Sequence, residues 1–529
     1  MIATRTFKMK RVRRHKKCDA ALTESFAIKR CRIAPRFMLA VVIIFCHEPL
    51  RNEAEEWHQF RGKNSAGIGT GSPPKHFDPQ TNVLWSTDVA PGHSSPCIHG
   101  NRLFLTTFNS DQSTVSVVCF NRHDGDLLWI RSFTVEALEK GHPSFNPASS
   151  SPCCDSQNVI AYFGCYGLIC LTHDGQVQWE KRMPLAKSFG GNATSPVIHE
   201  DNVILYRGNY VDHYIACFDK GTGDQRWKVQ QAEKFTGEMA CTACPIIHDN
   251  VVIFHSARSV QAFDINSGQR IWIAQCATTA TSTPIIAGNE VLVSTWNKLG
   301  EPDLRPPLPA FSQLISDHDA NGNGMISRDE FPSLWIFHRP EGIEAPMNGA
   351  PVSFKHCDKN SDGEIREEEW TVATNQIENF RDGYETHGLL AIPLNSKGLI
   401  DAEDVRVLTT RGIPEVPSPV ALGPTVYLIK NGGQLSCIDI STGDVTKRMR
   451  TQGSGTHYAS PVIADGHLYC FAGDGCVSVV QLNDSKSVIA VNELNDNVYA
   501  TPAIVDGVIY LRTHKKLFAF KEKTRELDE

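Results

Sequence analysis

The sequence predicts an all-β fold, an eight-bladed β-propeller of four-stranded blades, with a small α-helical insertion in one blade. Three observations lead to this prediction: a proline signature that recurs eight times, a hairpin motif that follows most copies, and one gap between copies that is much longer than the others. A chain of 529 residues is too long for one ordinary compact domain, but this length is normal for a closed array of repeats.

The recurring signature is Ser, Thr or Cys followed by Pro, then apolar residues, a polar turn and a second apolar run. Its eight copies begin at Ser95, Ser151, Ser195, Cys244, Thr283, Ser418, Ser460 and Thr501. Six of the seven intervals between these prolines measure 39 to 56 residues. A period of roughly 40–45 residues with four short strands is typical of a propeller blade. Proline is acceptable at the head of a strand because no ladder donor is needed there.

The hairpin motif places a tryptophan four residues after a turn glycine. This spacing occurs in four pairs: Gly125 and Trp129, Gly175 and Trp179, Gly223 and Trp227, Gly268 and Trp272. Short apolar runs bounded by Asp and Gly predict a hairpin, whose tryptophan we expect to lock neighbouring blades. A later copy has Lys447 in the tryptophan position.

The predicted ring needs a closing strand. Trp85 precedes the first copy of the signature and has no blade of its own. We expect its strand to complete the sheet begun by residues 508–511 and 516–520. Because a ring removes the exposed ends of a repeat array, this strand would close the molecule non-covalently.

Residues 1–54 form a basic leader. Residues 1–36 contain twelve Lys or Arg and two acidic residues, and an apolar run follows at 37–46. This pattern is typical of an export signal, and the run is too short to span a bilayer comfortably. A core strand behind a basic tail is the alternative. We therefore expect an exported protein of the periplasm or cell envelope without a spanning membrane helix. Membrane association through the apolar run stays open.

The chain outside the leader is strongly acidic. The formal net charge is −7, and the leader contributes about ten positive charges, so the remainder carries about −17. An acidic body argues against nucleic-acid binding. We expect a monomer whose partner is a protein or a polymer of the cell envelope.

Seventeen cysteines are a high number. Many lie inside strand-like runs, where cysteine acts as a small core hydrophobe. Export would permit disulfides, whose pairing the sequence leaves open. Cys241 and Cys244 form a CxxC pair at a strand start, and a structural role is favoured over redox activity for this pair.

The longest interval contains two segments with the pattern of a twelve-residue EF-hand calcium loop, 319–330 and 358–369. Side-chain oxygens occupy positions 1, 3 and 5, Gly at position 6 allows a sharp turn, and Glu at position 12 gives two oxygens to a hard cation. The candidate metal positions are Asp319, Asn321, Asn323, Met325, Ser327, Glu330, Asp358, Asn360, Asp362, Glu364, Arg366 and Glu369. We expect two Ca²⁺ sites, the second tighter because its loop has three anionic ligands against two.

The flanks of both loops predict helices. Residues 311–315 have helical spacing, and Phe331, Leu334 and Trp335 follow the first loop at i, i+3 and i+4, with Pro332 early enough to be tolerated. A further helical run follows the second loop. The predicted EF-hand pair occupies an insert at 301–385, a loop excursion of the fifth blade between propeller segments 55–300 and 386–525.

These repeats resemble the PQQ-like (quinoprotein-type) β-propeller family over roughly residues 55–525 outside the insert, because the D-x-x-x-G-x-x-x-W block is that family's blade motif. Segments 57–62 and 92–96 look like the exported propellers of planctomycete-type bacteria. More distantly, the chain is similar to the propeller lipoprotein of the outer-membrane barrel-assembly machinery. The adjacent Cys153 and Cys154 are similar to the vicinal disulfide of some quinoproteins. The long loops and haem motif of those enzymes are missing.

The favoured hypothesis is a non-catalytic, calcium-binding scaffold that binds a protein or polymer, without PQQ. One alternative is a PQQ-dependent alcohol or sugar dehydrogenase, in which a carboxylate takes the substrate proton and the quinone takes the hydride. No catalytic residue can be assigned for it. Another is a calcium-gated interaction protein whose insert covers the propeller face. Residues just before the signatures are candidates for the channel face, with ordinary structural hydrogen bonding as their alternative: His93, Asn192, Glu238, Tyr458 and Tyr499.

Overall fold

The computed structural model describes residues 56–233, 241–276, 280–296, 304–338, 349–382, 387–453, 455–483 and 485–523. The predicted leader and the candidate Glu238 lie outside these residues. Within the described ranges, no helix combines the length and apolar character needed to cross a bilayer.

The first half of the ring contains four blades. The first strand, β1 (Val83–Asp88), precedes them. Blade 1 consists of β2 (Cys97–His99), β3 (Arg102–Asn109), β4 (Thr114–Asn121) and β5 (Leu127–Thr134). Blade 2 consists of β6 (Cys153–Cys154), β7 (Asn158–Phe163), β8 (Gly167–Thr172) and β9 (Val177–Arg182). Blade 3 consists of β10 (Val197–His199), β11 (Asn202–Arg207), β12 (Tyr214–Asp219) and β13 (Gln225–Gln230). Blade 4 consists of β14 (Ile246–His248), β15 (Val251–His255), β16 (Ser259–Asp264) and β17 (Arg270–Gln275).

Blade 5 is interrupted by the insert. It begins with β18 (Ile285–Ala287) and β19 (Glu290–Thr295). The insert contains α1 (Phe311–His318), β20 (Ile326–Ser327), β21 (Trp335–His338), β22 (Gly349–Pro351), α2 (Phe354–Cys357), β23 (Glu364–Ile365) and α3 (Glu367–Asp382). The blade resumes with β24 (Gly388–Pro393), and it ends, after a short β25 (Gly398–Ile400), with β26 (Arg406–Thr409).

The remaining blades complete the ring. Blade 6 consists of β27 (Val420–Leu422), β28 (Thr425–Lys430), β29 (Gln434–Asp439) and β30 (Val445–Arg450). Blade 7 consists of β31 (Val462–Ala464), β32 (His467–Phe471), β33 (Cys476–Gln481) and β34 (Ser487–Glu493). Blade 8 consists of β35 (Ala503–Val505), β36 (Val508–Arg512), β37 (Lys516–Lys521) and, pairing with β37, β1.

The predicted eight-bladed, all-β architecture is confirmed. Within each blade, strands adjacent in the sheet pair antiparallel, and contacts between the first strands of successive blades place those strands around the central axis. The predicted closure is also confirmed, because β1 and β37 pair antiparallel and bring both ends of the propeller into one sheet. The sequence did not predict β25, which adds to blade 4 by parallel pairing with β17.

Burial differs between the inner and outer strands in a way that explains the sequence pattern. β3, β4 and β11 are buried along most of their length, whereas β9 and β13 alternate between exposed and partly buried residues. A strand covered on both faces by neighbouring blades needs a continuous apolar run, while a strand with one solvated face alternates. The inner strands therefore read as short apolar runs rather than as alternating ones.

Three of the four motif tryptophans, together with Trp85 of β1, form a hydrogen bond to the neighbouring blade. Nε1 of Trp129 in blade 1 donates to the carbonyl oxygen of His173 in blade 2 (2.8 Å). A Cβ on Gly175 would lie only 2.7 Å from the Trp129 ring, so the turn requires glycine. Trp85, Trp179 and Trp227 repeat this bond. The prediction that the tryptophans lock neighbouring blades is therefore confirmed for Trp129, Trp179 and Trp227. Trp272 packs in a core cluster that includes residues of blade 5, but its Nε1 has no hydrogen-bond partner in the described part of the chain.

The residue before each signature proline forms a second set of links. Its backbone N–H donates to the hydroxyl or thiol at the same position in the following blade. Seven such hydrogen bonds of 2.8 to 3.2 Å connect, in this order, Ser95, Ser151, Ser195, Cys244, Thr283, Ser418, Ser460 and Thr501. We call this series of seven hydrogen bonds the girdle. The repeat in the sequence identified the residues but did not predict their hydrogen bonds, because bonds between single polar atoms leave no periodic hydrophobic pattern.

Residues 56–72 precede β1 and cross the axis of the ring. The carbonyl oxygen of His58 accepts the N–H of Cys154 in blade 2 (2.8 Å). Arg61 is fully buried, and its Nη2 donates to the carbonyl oxygen of Pro419 at the head of blade 6 (2.6 Å). Blades 2 and 6 lie opposite each other in a ring of eight, so this segment spans the central channel.

Candidate calcium-binding site and channel mouth

The insert leaves the propeller between the second and third strands of blade 5. The last residue of β19, Thr295, and the first residue of β24, Gly388, form a tight neck: the Thr295 hydroxyl donates to the Gly388 carbonyl oxygen (2.9 Å) and accepts its N–H (3.0 Å). Because successive strands are antiparallel, this end of the blade is also the end at which each first strand begins. The insert therefore emerges on the face that carries the proline signatures.

One predicted helix of the insert is wrong. Leu334 precedes β21, and Trp335 belongs to β21, which pairs with β22. Pro332 disfavours the helical conformation of Phe331 and provides no N–H for a helix. Phe331 and Leu334 nevertheless pack against the buried core of the insert. The pattern thus identified core residues correctly but assigned them to the wrong element.

The other two predicted helices are present, as α1 and α3. Trp370 of α3 is buried, and its Nε1 donates to the carbonyl oxygen of Pro309, just before α1 (3.0 Å). Leu314, Phe354 and Ile377 pack in the same cluster. The insert therefore has a hydrophobic core of its own.

In the first loop, two carboxylates approach the loop from its opposite ends. Oδ2 of Asp319 accepts the N–H of Gly324 (2.8 Å). Oε1 of Glu330 accepts from Nδ2 of Asn321 (3.0 Å), and its Oε2 accepts the hydroxyl of Ser327 (2.7 Å). Carboxylate, amide and hydroxyl oxygens gathered in this way are the donor set that Ca²⁺ takes.

The second loop repeats this arrangement with one difference. Oδ2 of Asp358 accepts the N–H of Gly363 (3.1 Å), and Oε2 of Glu369 accepts the N–H of Arg366 (3.1 Å). The guanidinium of Arg366 donates to Oδ2 of Asp362 (2.5 Å). The guanidinium of Arg366 has no acceptor, so this position can take part in cation binding only through its backbone carbonyl or a water molecule.

The two loops lie side by side through β20 and β23. Ile326 pairs with Ile365, and both are fully buried. Nδ2 of Asn323 reaches Oε2 of Glu364 in the other loop (3.3 Å). The other candidate positions lie within their own loops, where Met325 donates its N–H to Asn323 (2.9 Å) and Asn360 accepts the N–H of Asp362 (2.8 Å). The structure thus brings all twelve candidate positions into one paired unit.

Hydrogen bonds keep key carboxylates of both loops ionised. The pKa of Glu330 is lowered, chiefly by the hydroxyl of Ser327. The pKa of Asp362 is lowered, chiefly by the hydrogen bond from Arg366. Both groups therefore stay anionic to a lower pH than usual, which suits a cation site, but Arg366 occupies an oxygen of Asp362 that Ca²⁺ would use.

Three of the channel-face candidates form an aromatic row. The rings of His93 and Tyr499 stack with centroids 4.3 Å apart, and the rings of Tyr499 and Tyr458 lie 5.3 Å apart. All three side chains are partly exposed. Burial and nearby Arg512 lower the pKa of His93 to about 4, so its ring is neutral at neutral pH. The row therefore presents flat, uncharged aromatic surface at the face from which the insert emerges.

Asn192 occupies a different environment from the aromatic row. It is buried, and its N–H donates to Oε2 of Glu139 (3.1 Å). Burial raises the pKa of Glu139 to about 8, although the Asn192 N–H and Arg207 act in the opposite direction. The sequence gives no reason to expect a special role for Glu139, because the residue lies in an ordinary charged segment. Only the tertiary structure shows that this carboxyl is buried.

The cysteines of the described chain are free thiols, including Cys153 and Cys154. Cys153 and Cys154 are buried in the cores on opposite faces of blade 2. Cys244 accepts the N–H of Ser195 with its sulfur (3.2 Å), and burial raises the pKa of both Cys241 and Cys244. These environments are those of structural cysteines, which agrees with the interpretation favoured for the CxxC pair.

Part of the propeller is similar to a known family of repeats. Residues 75–305 match a PQQ-like family model described as outer membrane protein assembly factor BamB. No curated protein matches the chain. The fold is similar to quinohemoprotein alcohol dehydrogenase ADHIIG from Pseudomonas putida HK5, with a TM-score of 0.50 and 12% identity over 90% of this chain and 82% of that chain.

Two further solved structures are similar to this chain. Quinohemoprotein alcohol dehydrogenase from Comamonas testosteroni has a TM-score of 0.50 and 12% identity over 90% of this chain and 83% of that chain. BamB from Moraxella catarrhalis has a TM-score of 0.47 and 12% identity over 83% of this chain and 99% of that chain. At these identities the dehydrogenases establish the shared fold and nothing about activity.

Proposed function

Because residues 75–305 match the PQQ-like propeller family described as BamB, we propose that the chain is an exported propeller that binds calcium and acts as a non-catalytic scaffold in the cell envelope. The partner is a protein or an envelope polymer. The observation that carries the proposal is the paired calcium-type loops, held by a two-residue neck on the face that bears the aromatic row.

The geometry of the loops supports calcium binding. Each loop directs the carboxylates of its first and last positions towards the same backbone, and each offers amide or hydroxyl oxygens between them. Hard oxygen donors in this number favour Ca²⁺ over softer metals. Asp319 and Glu330 would bind the ion in the first loop, and Asp358, Asp362 and Glu369 in the second.

A calcium titration of the full-length chain by calorimetry tests this step. We expect two binding events per chain. Glu330→Gln should weaken the first site and Glu369→Gln the second, each by at least roughly tenfold, because position 12 provides two of the ligand oxygens.

Matched controls lie one position earlier in each loop. Asp329→Asn and Glu368→Gln remove the same charge at position 11, outside the ligand set, and should leave both events in place. A chain that takes up no Ca²⁺, or that binds it equally after both position-12 substitutions, would contradict the assignment.

The location of the loops supports a docking role. Partly exposed aromatic rings supply large contact area at small entropic cost and are enriched at protein interfaces. Tyr458 and Tyr499 lie on the face from which the insert emerges. The insert is also a long excursion from a rigid repeat, the place where binding functions gather.

Capture from cell-envelope extract, with Ca²⁺ or with a chelator, tests docking. We expect a defined partner, identified by mass spectrometry, whose recovery falls when Tyr458 and Tyr499 are both replaced by Ala. His123→Ala is the control, since His123 lies in a hairpin turn at the other end of blade 1. Equal recovery by the double variant and the control would contradict docking at this face.

The same preparations decide between the scaffold and its two alternatives. Tight stoichiometric binding of PQQ with alcohol- or sugar-dependent dye reduction would replace the scaffold by a dehydrogenase. Partner capture that requires Ca²⁺, together with calcium-dependent protease resistance of residues 300–385, would make it a calcium-gated interaction protein.

A further inference from the structure

Three side chains of types that can bind a metal meet at the end of the innermost strand of blade 1. Glu56 and His58 belong to the segment that crosses the axis, and His99 ends β2. Nε2 of His58 lies 2.8 Å from Oε2 of Glu56, and Nδ1 of His99 lies 2.8 Å from Oε1 of the same carboxylate. The potential ligand atoms of the three side chains all lie within 4.8 Å of one another.

The ring of His99 provides a second observation. Among the residues that the structure describes, its buried Nδ1 has no hydrogen-bond partner, even though the carboxylate of Glu56 is only 2.8 Å away. The two groups are therefore close without the direction of a hydrogen bond. A buried ring nitrogen in this state is unfavourable unless another species satisfies it. A cation held between the three side chains would do so.

His58 is fixed to the neighbouring blades through its backbone. Within the described part of the chain, its Nδ1 is buried and has no hydrogen-bond partner. Its carbonyl oxygen accepts the N–H of Cys154 (2.8 Å). The same carbonyl oxygen accepts the thiol of Cys97 (2.8 Å). These backbone contacts fix the position of the residue whose Nε2 lies beside Glu56.

The ligand set selects the metal. Two imidazole nitrogens and one carboxylate oxygen form a set that Zn²⁺ binds with its fourth position open, whereas Ca²⁺ takes oxygen ligands. We propose that Glu56, His58 and His99 form a Zn²⁺ site, distinct from the calcium loops, that fastens the segment crossing the axis to blade 1. This site does not depend on the scaffold function.

A thiol pair beside His58 is the competing ligand set. The sulfur atoms of Cys97 and Cys154 lie 3.1 Å apart, and both residues are buried. The side chains of Glu56, His58 and His99 are partly exposed, 26%, 41% and 21% respectively. An ion arriving from solvent therefore meets the imidazole and carboxylate set first.

Zinc titration against a chromophoric chelator tests the site in full-length protein saturated with Ca²⁺. We expect Glu56→Gln and His99→Ala each to weaken Zn²⁺ binding by at least about tenfold. His199→Ala is the matched control, because His199 ends the innermost strand of blade 3 as His99 ends that of blade 1. Its Zn²⁺ affinity should equal that of the unmodified chain.

Substitution by Co²⁺ identifies the ligands. We expect visible d–d bands without an intense thiolate-to-cobalt band in the near ultraviolet. Cys154→Ser should keep this spectrum, because the thiol lies outside the proposed ligand set and the backbone contact to His58 is retained.

Two results would overturn the site. One is Zn²⁺ affinity that is the same in the unmodified chain, Glu56→Gln and His99→Ala. The other is a strong thiolate band that disappears in Cys154→Ser, which would move the metal to the thiol pair. Circular dichroism checks the fold of each variant, and Glu56→Gln, at a partly exposed position, keeps the test decisive if His99→Ala folds poorly.

Discussion

Arg366 places a positive charge inside the second calcium loop. Its guanidinium lies 2.5 Å from Oδ2 of Asp362 and 3.8 Å from Oε2 of Glu369. An incoming Ca²⁺ must displace or share these contacts. The number of anionic ligands predicts that the second loop binds Ca²⁺ more tightly than the first, and this expectation remains a prediction. The positive charge of Arg366 opposes it, because it lies beside two of those ligands.

Replacing Arg366 with Ser should therefore tighten calcium binding by the second loop. Exposed ion pairs are worth little, so we expect an improvement of about two- to fivefold, measured by calorimetry. Lys359→Ser is the control, because it removes the same charge from the same loop while its amine contacts Gln376 (2.9 Å) rather than a ligand. An equal gain in both variants would assign the effect to net charge instead of to the contact with Asp362.

The buried carboxyl of Glu139 makes the stability of the fold dependent on pH. Its pKa is about 8 in the folded chain against an ordinary value of 4.5. Between these values the unfolded chain has released a proton that the folded chain retains. The free energy of unfolding should thus fall as pH rises from about 4.5 to 8, by up to roughly 1.4 kcal/mol per pH unit.

Glu139→Gln should flatten this pH dependence and stabilise the protein at pH 8. Denaturant unfolding at several pH values measures the effect. Glu136→Gln, at an exposed position in the same loop, should retain the slope of the unmodified chain. The role assigned to Glu139 fails if both variants retain it.

At the scale of the secondary-structure element, the hairpin turn and the tryptophan of the previous blade form one unit. Gly223 has a φ of 75°, and a Cβ there would lie 2.7 Å from the ring of Trp179. Gly223→Ala should destabilise the fold by at least about 1 kcal/mol, through both the backbone conformation and the clash.

Gly221 provides a control within the same turn. A Cβ at Gly221 would meet nothing nearer than Oδ1 of Asp219 at 3.4 Å. Gly221→Ala should therefore change the free energy of unfolding by no more than about 0.5 kcal/mol. Comparable losses for both substitutions would show that the turn tolerates no side chain for reasons unrelated to Trp179.

Local sequence predicted the elements unevenly. The spacing of Gly and Trp predicted the blade hairpins because the same spacing recurs in four repeats, so the prediction did not depend on any single copy. The segment around Pro332 occurs once, so the apolar spacing of Phe331, Leu334 and Trp335 had to be weighed against a single proline. Pro332 disfavours a helix at this point, and the segment forms β21 instead.

At the scale of the whole molecule, the insert begins and ends at two adjacent strand ends of blade 5. Thr295 and Gly388 already pair as neighbouring strand ends, so a short turn can join them. Replacing residues 297–386 with a brief Gly-Ser turn should remove calcium binding while shifting the propeller's Tm by no more than roughly 2–4 °C. Thermal unfolding followed by circular dichroism measures this, and an unfolded product would show that the insert completes the propeller core.

The number of blades and the closure by β1 were predictable because the repeat is regular and Trp85 lay outside it. The two proposed metal sites differ in how far they could be predicted from the sequence. The calcium loops are contiguous in sequence, and each can be recognised alone. Glu56 and His99 are 43 positions apart, and only the segment that crosses the axis brings them together.

The girdle before the signature prolines has a consequence for how this molecule can evolve. Each hydrogen bond runs from one repeat to the next in the same direction, and donor and acceptor occupy the same position in every repeat. A duplicated or exchanged blade would supply its own donor and acceptor, and after the deletion of a blade its two neighbours would still carry a matching pair. In each case the series of hydrogen bonds could form again. A gene rearrangement in whole-repeat units would thus preserve the hydrogen bonds around the axis.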